Sequence, residues 1–250
     1  MRWRHCFWAV CGLWQCFFFA ACGLDQFYLL EEPTVSYNEV YADTTDYMRW
    51  YVDFLTNETA NSEYYPSKRN AFTFLGTEIY YKIYDSTATL SSHKSRVEAV
   101  NKSDYYSNAA TMLIETFKYQ TLGTDPGGWS SPFVECSEKN TRVRIRLMSY
   151  DDTNDDLRAG VRLDGVDMNI VPRRNDSRYS FDFFNKAEER PLQSNVEPAD
   201  GDSDYWRTGS GSPEAYYVQL YAVAVGCDGN YTPSYSLVLD LGTIPILKNQ

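Results

Sequence analysis

Three aspartates at alternate positions in "ADGDSDYW" come closest, of all residues in this chain, to the spacing of a metal site. Asp200, Asp202 and Asp204 match the first three ligand positions of an EF-hand calcium loop. The match then ends, because Tyr205 stands where the turn glycine belongs and Gly211 where the bidentate glutamate belongs. Two interpretations stay open, a calcium site and a solvated turn.

Acidic side chains are also the one abundant group that could support acid and base catalysis. The run "SYDDTNDD", residues 149 to 156, adds further carboxylates to those of Asp200, Asp202 and Asp204. A glycosidase needs two carboxyl groups about 5 to 9 Å apart, a separation that no sequence pattern reports. An enzyme acting on glycans therefore remains an alternative.

Histidine usage argues against the common nucleophilic relays. His5 lies in an N-terminal apolar segment, so His93 is the one imidazole in the rest of the chain. Its context, "TLSSHKSR", is polar and loop-like and has no G-x-S-x-G motif nearby. We expect a surface histidine. Since the zinc patterns H-E-x-x-H and C-x-x-C are absent too, we predict no catalytic residues and no cofactor, calcium excepted.

Three arginines alternate with apolar residues in "TRVRIRL". On a strand, Arg142, Arg144 and Arg146 would line one face and the apolar residues between them the other. Such a cationic ridge could engage an acidic partner or a glycan. Alternatively, it is a solvated face paired with acids on the next strand.

The N-terminal segment has the layout of a secretory signal. Arg2 and Arg4 precede an apolar run that is interrupted by Gln15 and ends in small residues. A membrane-spanning helix needs about 20 apolar residues, more than this run supplies. The sequence "FAACG", residues 19 to 23, resembles the lipobox of bacterial lipoproteins, in which a signal peptidase cuts before a cysteine that carries lipid.

The lipobox resemblance implies that residues 1–21 are removed, that Cys22 is lipidated and that residues 22–33 form a tether. Each buried methylene of an acyl chain contributes about 0.8 kcal/mol, so several chains would anchor the protein. The alternative is an ordinary signal peptide cut at Ala21 or nearby, which leaves a plain thiol. We expect an exported, membrane-anchored protein on the periplasmic face or the cell surface.

Cleavage would change both the charge and the cysteine content. Loss of Arg2 and Arg4 takes the formal net charge from −11 to −13, which argues against a nucleic-acid partner. Beyond Cys22, the chain keeps Cys136 and Cys227. In an oxidising compartment these two could form a disulfide, or they could remain separate buried thiols.

Alternation with a period of two dominates the chain and indicates a mainly β protein. One helix is predicted around residues 107–119, because Leu113, Ile114 and Phe117 have helical spacing. The segments with the clearest strand pattern are 47–55, 77–84, 141–147, 216–225 and 235–241.

Several of these strands resemble those of fibronectin type III domains. "YYVQLYAVAVGCDGNYTPSYS" resembles the last hairpin, with Tyr216 in the tyrosine-corner role, while "GTEIYYKIYDS" resembles a middle strand and "PTVSYN" the first. Together with the lipobox, these segments resemble a group of uncharacterised treponemal (spirochaete) lipoproteins. The resemblance implies an enlarged fibronectin type III or immunoglobulin-like sandwich over residues 34–250, with strands and a helix inserted at about 87–215 and long loops. Two small domains are the alternative.

The sequence therefore predicts a lipid-anchored envelope protein that is a non-enzymatic binding or structural module. Its partners would be the membrane, through the lipid, and a protein or glycan that the sequence does not name. The alternatives are a carboxylate-based envelope enzyme acting on glycans and a calcium-dependent adhesin.

Overall fold

The structure, a computed structural model, describes residues 28–35, 47–64, 72–125, 132–150, 153–174, 179–183 and 196–248. The predicted signal segment 1–21, the lipidation site Cys22 and the tether up to residue 27 lie outside the described residues. Within them the protein is mainly β, as predicted, with antiparallel sheets and a smaller share of helix.

The described strands are, in chain order, β1 Thr34–Val35, β2 Val52–Leu55, β3 Phe72–Tyr84, β4 Gln120–Thr121, β5 Gly123–Asp125, β6 Val134–Glu135, β7 Arg142–Arg146, β8 Gly160–Leu163, β9 Val166–Asp167, β10 Val171–Arg173, β11 Tyr205–Trp206, β12 Ala215–Asp228 and β13 Pro233–Leu247. The described α-helices are α1 Glu58–Tyr64, α2 Thr87–Val100 and α3 Asn108–Thr111. Helix α3 continues into a π-helical turn, Met112–Thr116, which confirms the helix predicted around 107–119.

The larger sheet is centred on β3 and on the hairpin of β12 and β13. β12 pairs antiparallel with β3 on one side and with β13 on the other. The short strands β4 and β6 pair antiparallel with the far edge of β3, and β11 pairs with it in parallel. The predicted strands at 77–84, 216–225 and 235–241 are confirmed within β3, β12 and β13.

The smaller sheet has the antiparallel order β1, β2, β7, β8, β9. The segment predicted as a strand over 47–55 begins instead with a 3-10 turn, Tyr47–Arg49, and becomes extended at Val52. Separately, β5 and β10 form a two-stranded ladder.

The largest part of the hydrophobic core lies between the two sheets. Phe54 and Ile145 of the smaller sheet belong to one buried cluster with Tyr81 and Leu220 of the larger sheet. Burial of each such side chain contributes about 2 kcal/mol. The opposite face of the larger sheet packs against the helices, so the protein has three layers: smaller sheet, larger sheet and helices.

Helix α2 is the main element that the sequence analysis missed. Ser86 caps its N-terminus by accepting a hydrogen bond from the backbone N–H of Thr89, and Leu90, His93 and Val97 are buried against the sheet. His93 is 7% exposed, so the prediction of a surface histidine in a loop is wrong. Serine and threonine have modest helix propensity, which hid a buried face at helical spacing.

Of the two alternatives for Cys136 and Cys227, the disulfide is not formed: both thiols are free, but Cys136 is exposed and Cys227 is half-buried, so neither is a fully buried thiol. The backbone N–H of Cys136 donates to the Leu75 carbonyl at one edge of β3, whereas Cys227 pairs with Thr73 at the opposite edge. The two cysteines are therefore two strand spacings apart, about 9.6 Å, which exceeds the roughly 7 Å between Cα atoms that a disulfide can span.

Among the residues that the structure describes, no helix combines the length and the apolar character that crossing a bilayer requires.

Candidate functional site

Three strands of the smaller sheet bring charged side chains to its outer face. In the ladder, Asp53 on β2 lies opposite Arg144 on β7, and Arg144 lies opposite Arg162 on β8. The neighbouring positions, such as Val143 and Val161, are buried in the core. Because side chains alternate along a strand, the charged row is held on the face away from the core.

Asp53 fixes the orientation of two arginines. Its side chain has no exposed surface. Its two oxygens accept hydrogen bonds from Nε and Nη2 of Arg142, both at 2.9 Å. Oδ2 also accepts from Nε and Nη2 of Arg144, both at 3.2 Å. Charge-assisted bonds of this kind are strong and directional, so Asp53 fixes both guanidinium planes. For these two arginines, pairing with an acid on the next strand is confirmed.

The arginines line a pocket of about 330 Å³, together with Asp164 and Gly165. The side chains of Arg142 and Arg144 are 42% and 35% exposed, and that of Arg162 is 21% exposed. Their guanidinium groups are therefore within reach of a ligand. The volume lies within the range of about 300 to 1,000 Å³ that is common for small-molecule sites.

Two of the three guanidiniums have donors left over. Arg162 donates from Nη1 to the Asp156 carboxylate and from Nη2 to the Asp155 carbonyl, but its Nε donates to no described residue. Within the described part of the chain, Nη1 of Arg144 also has no acceptor. Asp156 is 71% exposed, so water competes for its bond to Arg162. An acidic ligand could accept from both arginines.

A two-residue turn forms one wall of the pocket. Asp164 and Gly165 join β8 to β9 with φ of 51° and 82°, the left-handed values of a type I′ hairpin. Oδ1 of Asp164 accepts from the backbone N–H of Arg142 at 2.8 Å, whereas none of the described residues donates to Oδ2. A Cβ added at Gly165 would have no atom within 4 Å, so this side of the pocket is open.

Arg146, the third arginine of the predicted ridge, does not line this pocket. It is 5% exposed and donates to the backbone carbonyls of Met48 at 3.0 Å and Trp50 at 3.5 Å. Its guanidinium lies over the rings of Tyr51 and Tyr150. Burial lowers the pKa of Arg146 from its ordinary value. The ridge prediction therefore holds for Arg142 and Arg144, while Arg146 is part of the sheet's packing.

The aspartates of the hypothesised calcium site bind an arginine instead. Asp204 is fully buried; it accepts from Nε and Nη2 of Arg174, each at 2.9 Å, and from the Tyr81 hydroxyl at 2.8 Å. Asp202 accepts from Nη2 of Arg174 at 3.0 Å, and Asp200 is largely exposed. Among the described residues no three His, Cys, Asp or Glu side chains form a group that could hold a metal. Asp202 and Asp204 therefore share Nη2 of Arg174 as a donor, and the calcium site stays a prediction.

Tyr216 lies at the start of β12 and is buried. Its hydroxyl donates to Oε2 of Glu197 at 3.4 Å. A tyrosine corner is defined by a bond to backbone a few residues upstream. Because the contact to Glu197 is of a different kind, the tyrosine-corner role stays a prediction.

A buried lysine, Lys82, and a buried histidine, His93, lie between the larger sheet and α2. Lys82 is 3% exposed and donates to the carbonyls of Lys118 at 3.1 Å and Ser203 at 2.7 Å. Burial lowers the pKa of Lys82 to about 8. Nδ1 of His93 lies 3.1 Å from the Tyr84 hydroxyl. These contacts tie α2 and two loops to the sheet.

Sequence reasoning missed Arg162, Asp164 and Gly165. The signal was present in "VRLDGVDM", where Asp-Gly between apolar residues is typical of a two-residue hairpin. That hairpin sets the register between β8 and β9, whereas the ladder between β7 and β8 places Arg162 opposite Arg144.

In comparisons with known proteins, no family model, no curated protein and no solved structure matches this chain.

Proposed function

We propose that this is a non-enzymatic binding protein of the bacterial envelope, and that the arginine-lined pocket binds an acidic group of a protein or glycan. The observation that carries the proposal is the pair of accessible guanidiniums, Arg144 and Arg162, whose remaining donors serve no described residue. Guanidinium groups match carboxylate, sulfate and phosphate oxygens in a bidentate manner. An acidic ligand is therefore the partner that this geometry fits best.

Preorganisation supports the same proposal. Asp53 already holds Arg142 and Arg144 in fixed orientations. Ordering flexible side chains opposes binding by about 0.5 to 1.5 kcal/mol for each side chain. Since the two arginines are ordered before the ligand arrives, little of that opposing free energy remains.

The proposal includes a lipid on Cys22, supported by the apolar N-terminal run and the lipobox resemblance. The end of the predicted tether is fixed to α1, because Asn61 bonds both the N–H and the carbonyl of Glu31. Asn57 also donates to the Glu32 carbonyl at 3.2 Å. From Cys22 to Tyr28 the chain spans at most about 20 Å, so the binding domain would stay close to the membrane.

Kinship with fibronectin type III or immunoglobulin-like sandwiches, and with treponemal lipoproteins, is part of the proposal as well. The long closing hairpin of β12 and β13 and the packing of two antiparallel sheets support it. The helical layer over the larger sheet would then be an addition to the sandwich.

Surface plasmon resonance of the full chain in detergent tests the binding proposal. Immobilised polyglutamate, polygalacturonate and heparin serve as acidic probes. We expect saturable binding to at least one, weakened tenfold or more by Arg162→Gln. Arg158→Gln is the matched control, since Arg158 also forms an ion pair with an aspartate, Asp155, but does not line the pocket.

The two variants change the net charge equally, so non-specific attraction changes equally in both. Equal weakening by both variants, or no saturable binding to any probe, contradicts the proposal.

A further inference from the structure

We infer that the pocket selects a sugar residue carrying one carboxylate beside hydroxyl groups, such as a uronic acid, over ligands of higher charge. The inference rests on the proposed function, because it names the ligand class of the same pocket. It follows from the mixture of donors and acceptors on the pocket wall, from the local charge and from the size of the pocket.

Arg144 and Arg162 supply the carboxylate site. They lie directly opposite each other on neighbouring antiparallel strands, where Cβ atoms are about 5 Å apart. Both arginines line the same pocket, so together they can donate to the two oxygens of one carboxylate. Like charges directly opposite each other destabilise a sheet, and an acidic ligand between them would remove that repulsion.

Asp164 supplies the hydroxyl site. Its Oδ1 is occupied by the backbone N–H of Arg142, and Oδ2 accepts nothing from the described residues. An ionised carboxylate only accepts hydrogen bonds. It would therefore bind a ligand hydroxyl and repel a second acidic group. A pocket built for sulfate or phosphate alone gains nothing from an acid at this position.

The local charge also disfavours polyanions. The three arginines of the pocket face three aspartates: Asp53 beneath them, Asp156 bonded to Arg162, and Asp164 on the wall. Their charges nearly cancel, and the chain as a whole carries a formal charge of −11. Recognition must then come from hydrogen-bond geometry, which one carboxylate can satisfy, and not from a long-range positive field.

The size of the pocket fits one ring. About 330 Å³ lies at the small end of ligand sites. The open side at Gly165 leaves room for further residues of a longer chain. The recognised unit is therefore one acidic sugar, free or within a glycan.

Isothermal titration calorimetry of the full chain tests this inference with galacturonate, galactose, acetate and sulfate. Galacturonate should bind at least tenfold more tightly than galactose, which lacks the acid, and than acetate, which lacks the hydroxyls. Sulfate, with two charges, should bind more weakly than galacturonate. Glucuronate is a second sugar probe, since the orientation of one hydroxyl differs between the two.

Asp164→Asn isolates the hydroxyl site. Asparagine keeps the acceptor for the Arg142 N–H and tolerates the left-handed φ of 51°, so the turn should persist. We expect about tenfold weaker galacturonate binding and sulfate binding that is unchanged or tighter. Asp167→Asn is the control, because Asp167 lies opposite Arg162 on β9 but does not line the pocket.

The outcomes separate the two proposals. Equal affinity for sulfate and galacturonate, with both tightened by Asp164→Asn, would overturn the sugar inference and leave an anion-binding pocket. If no acidic probe binds at all, the proposed function fails and the inference with it. The ranking of galacturonate, galactose, acetate and sulfate on the unmodified chain decides the matter even if a variant folds poorly.

Discussion

Single buried carboxylates in this protein have contrasting partners. Asp53 is matched by two guanidiniums, whereas Glu58 receives neutral donors: the Thr77 hydroxyl at 3.2 Å and the Ser137 backbone N–H at 3.3 Å. Both residues are buried. Burial raises the pKa of Glu58 to about 7, although its two hydrogen bonds oppose the rise. The ionised form of Glu58 is therefore unfavourable in the folded protein.

This pKa gives a stability prediction for Glu58→Gln. The folded pKa of about 7 exceeds the ordinary value of 4.5, so the stability that Glu58 contributes is fully present below pH 4.5 and is lost as pH rises through 7. Glutamine can accept from the Ser137 N–H and donate to Thr77, whose hydroxyl can rotate. We expect the variant to gain about 2 kcal/mol of unfolding free energy at pH 8.

Urea denaturation at pH 8 and pH 5 measures this gain, which should shrink towards zero at the lower pH. Glu138→Gln, at an exposed loop position, is the control and should change little at either pH. A variant that is less stable than the natural chain at pH 8 would show that Glu58 is stabilised as an anion.

Among the secondary-structure elements, α2 has an attachment that depends on the protonation state of His93. Its His93 ring stacks on Phe117 at 4.0 Å between centroids and lies 3.1 Å from the Tyr84 hydroxyl. Burial is the main cause that lowers the pKa of His93, and the cations Arg96 and Lys82 add to it. Protonation of His93 therefore opposes the docking of α2.

The corresponding prediction concerns His93→Phe. With the folded pKa of His93 below the unfolded value, its contribution is present above about pH 6.5 and is lost as pH falls. Phenylalanine keeps the stack on Phe117 without a titratable group. Glu58 titrates in the opposite sense, so the informative quantity is the melting temperature of the natural chain minus that of the variant.

Between pH 7 and pH 5 this difference should fall by several degrees. Thermal melts followed by circular dichroism measure it. A difference that does not change with pH would mean that the His93 pKa is not lowered in the folded state.

The length of each strand explains whether the sequence pattern could predict it. Long alternating runs identified β3, β7, β12 and β13, because each exceeds the length at which alternation becomes informative. Strands of two or three residues, such as β4, β9 and β11, carry no such pattern and exist through pairing with a neighbour. The same limit applies to the pocket. Arg142 and Arg144 were predictable from the pattern of one strand, whereas the position of Arg162 depends on the register between β7 and β8.

Mass spectrometry tests the proposed lipid anchor at the scale of the whole molecule. We expect material extracted from membranes to have lost residues 1–21 and to carry acyl chains on Cys22, because the N-terminal segment resembles a lipoprotein signal. Intact mass spectrometry, beside a Cys22→Ala variant, measures both changes. If the natural protein is recovered in the soluble fraction with an unmodified Cys22, the result contradicts the proposed anchor and indicates a freely secreted protein.

The three layers imply unequal mutational tolerance across the protein. β3 and β12 are covered on both faces, so nearly every position along their central parts is constrained by packing. In β7 and β8 the inward side chains alone carry the core, and the alternate positions hold the pocket. A change of the outward Arg162 on β8 can therefore alter ligand specificity while the fold persists, whereas Arg142 and Arg144 on β7 are also needed to pair with the buried Asp53.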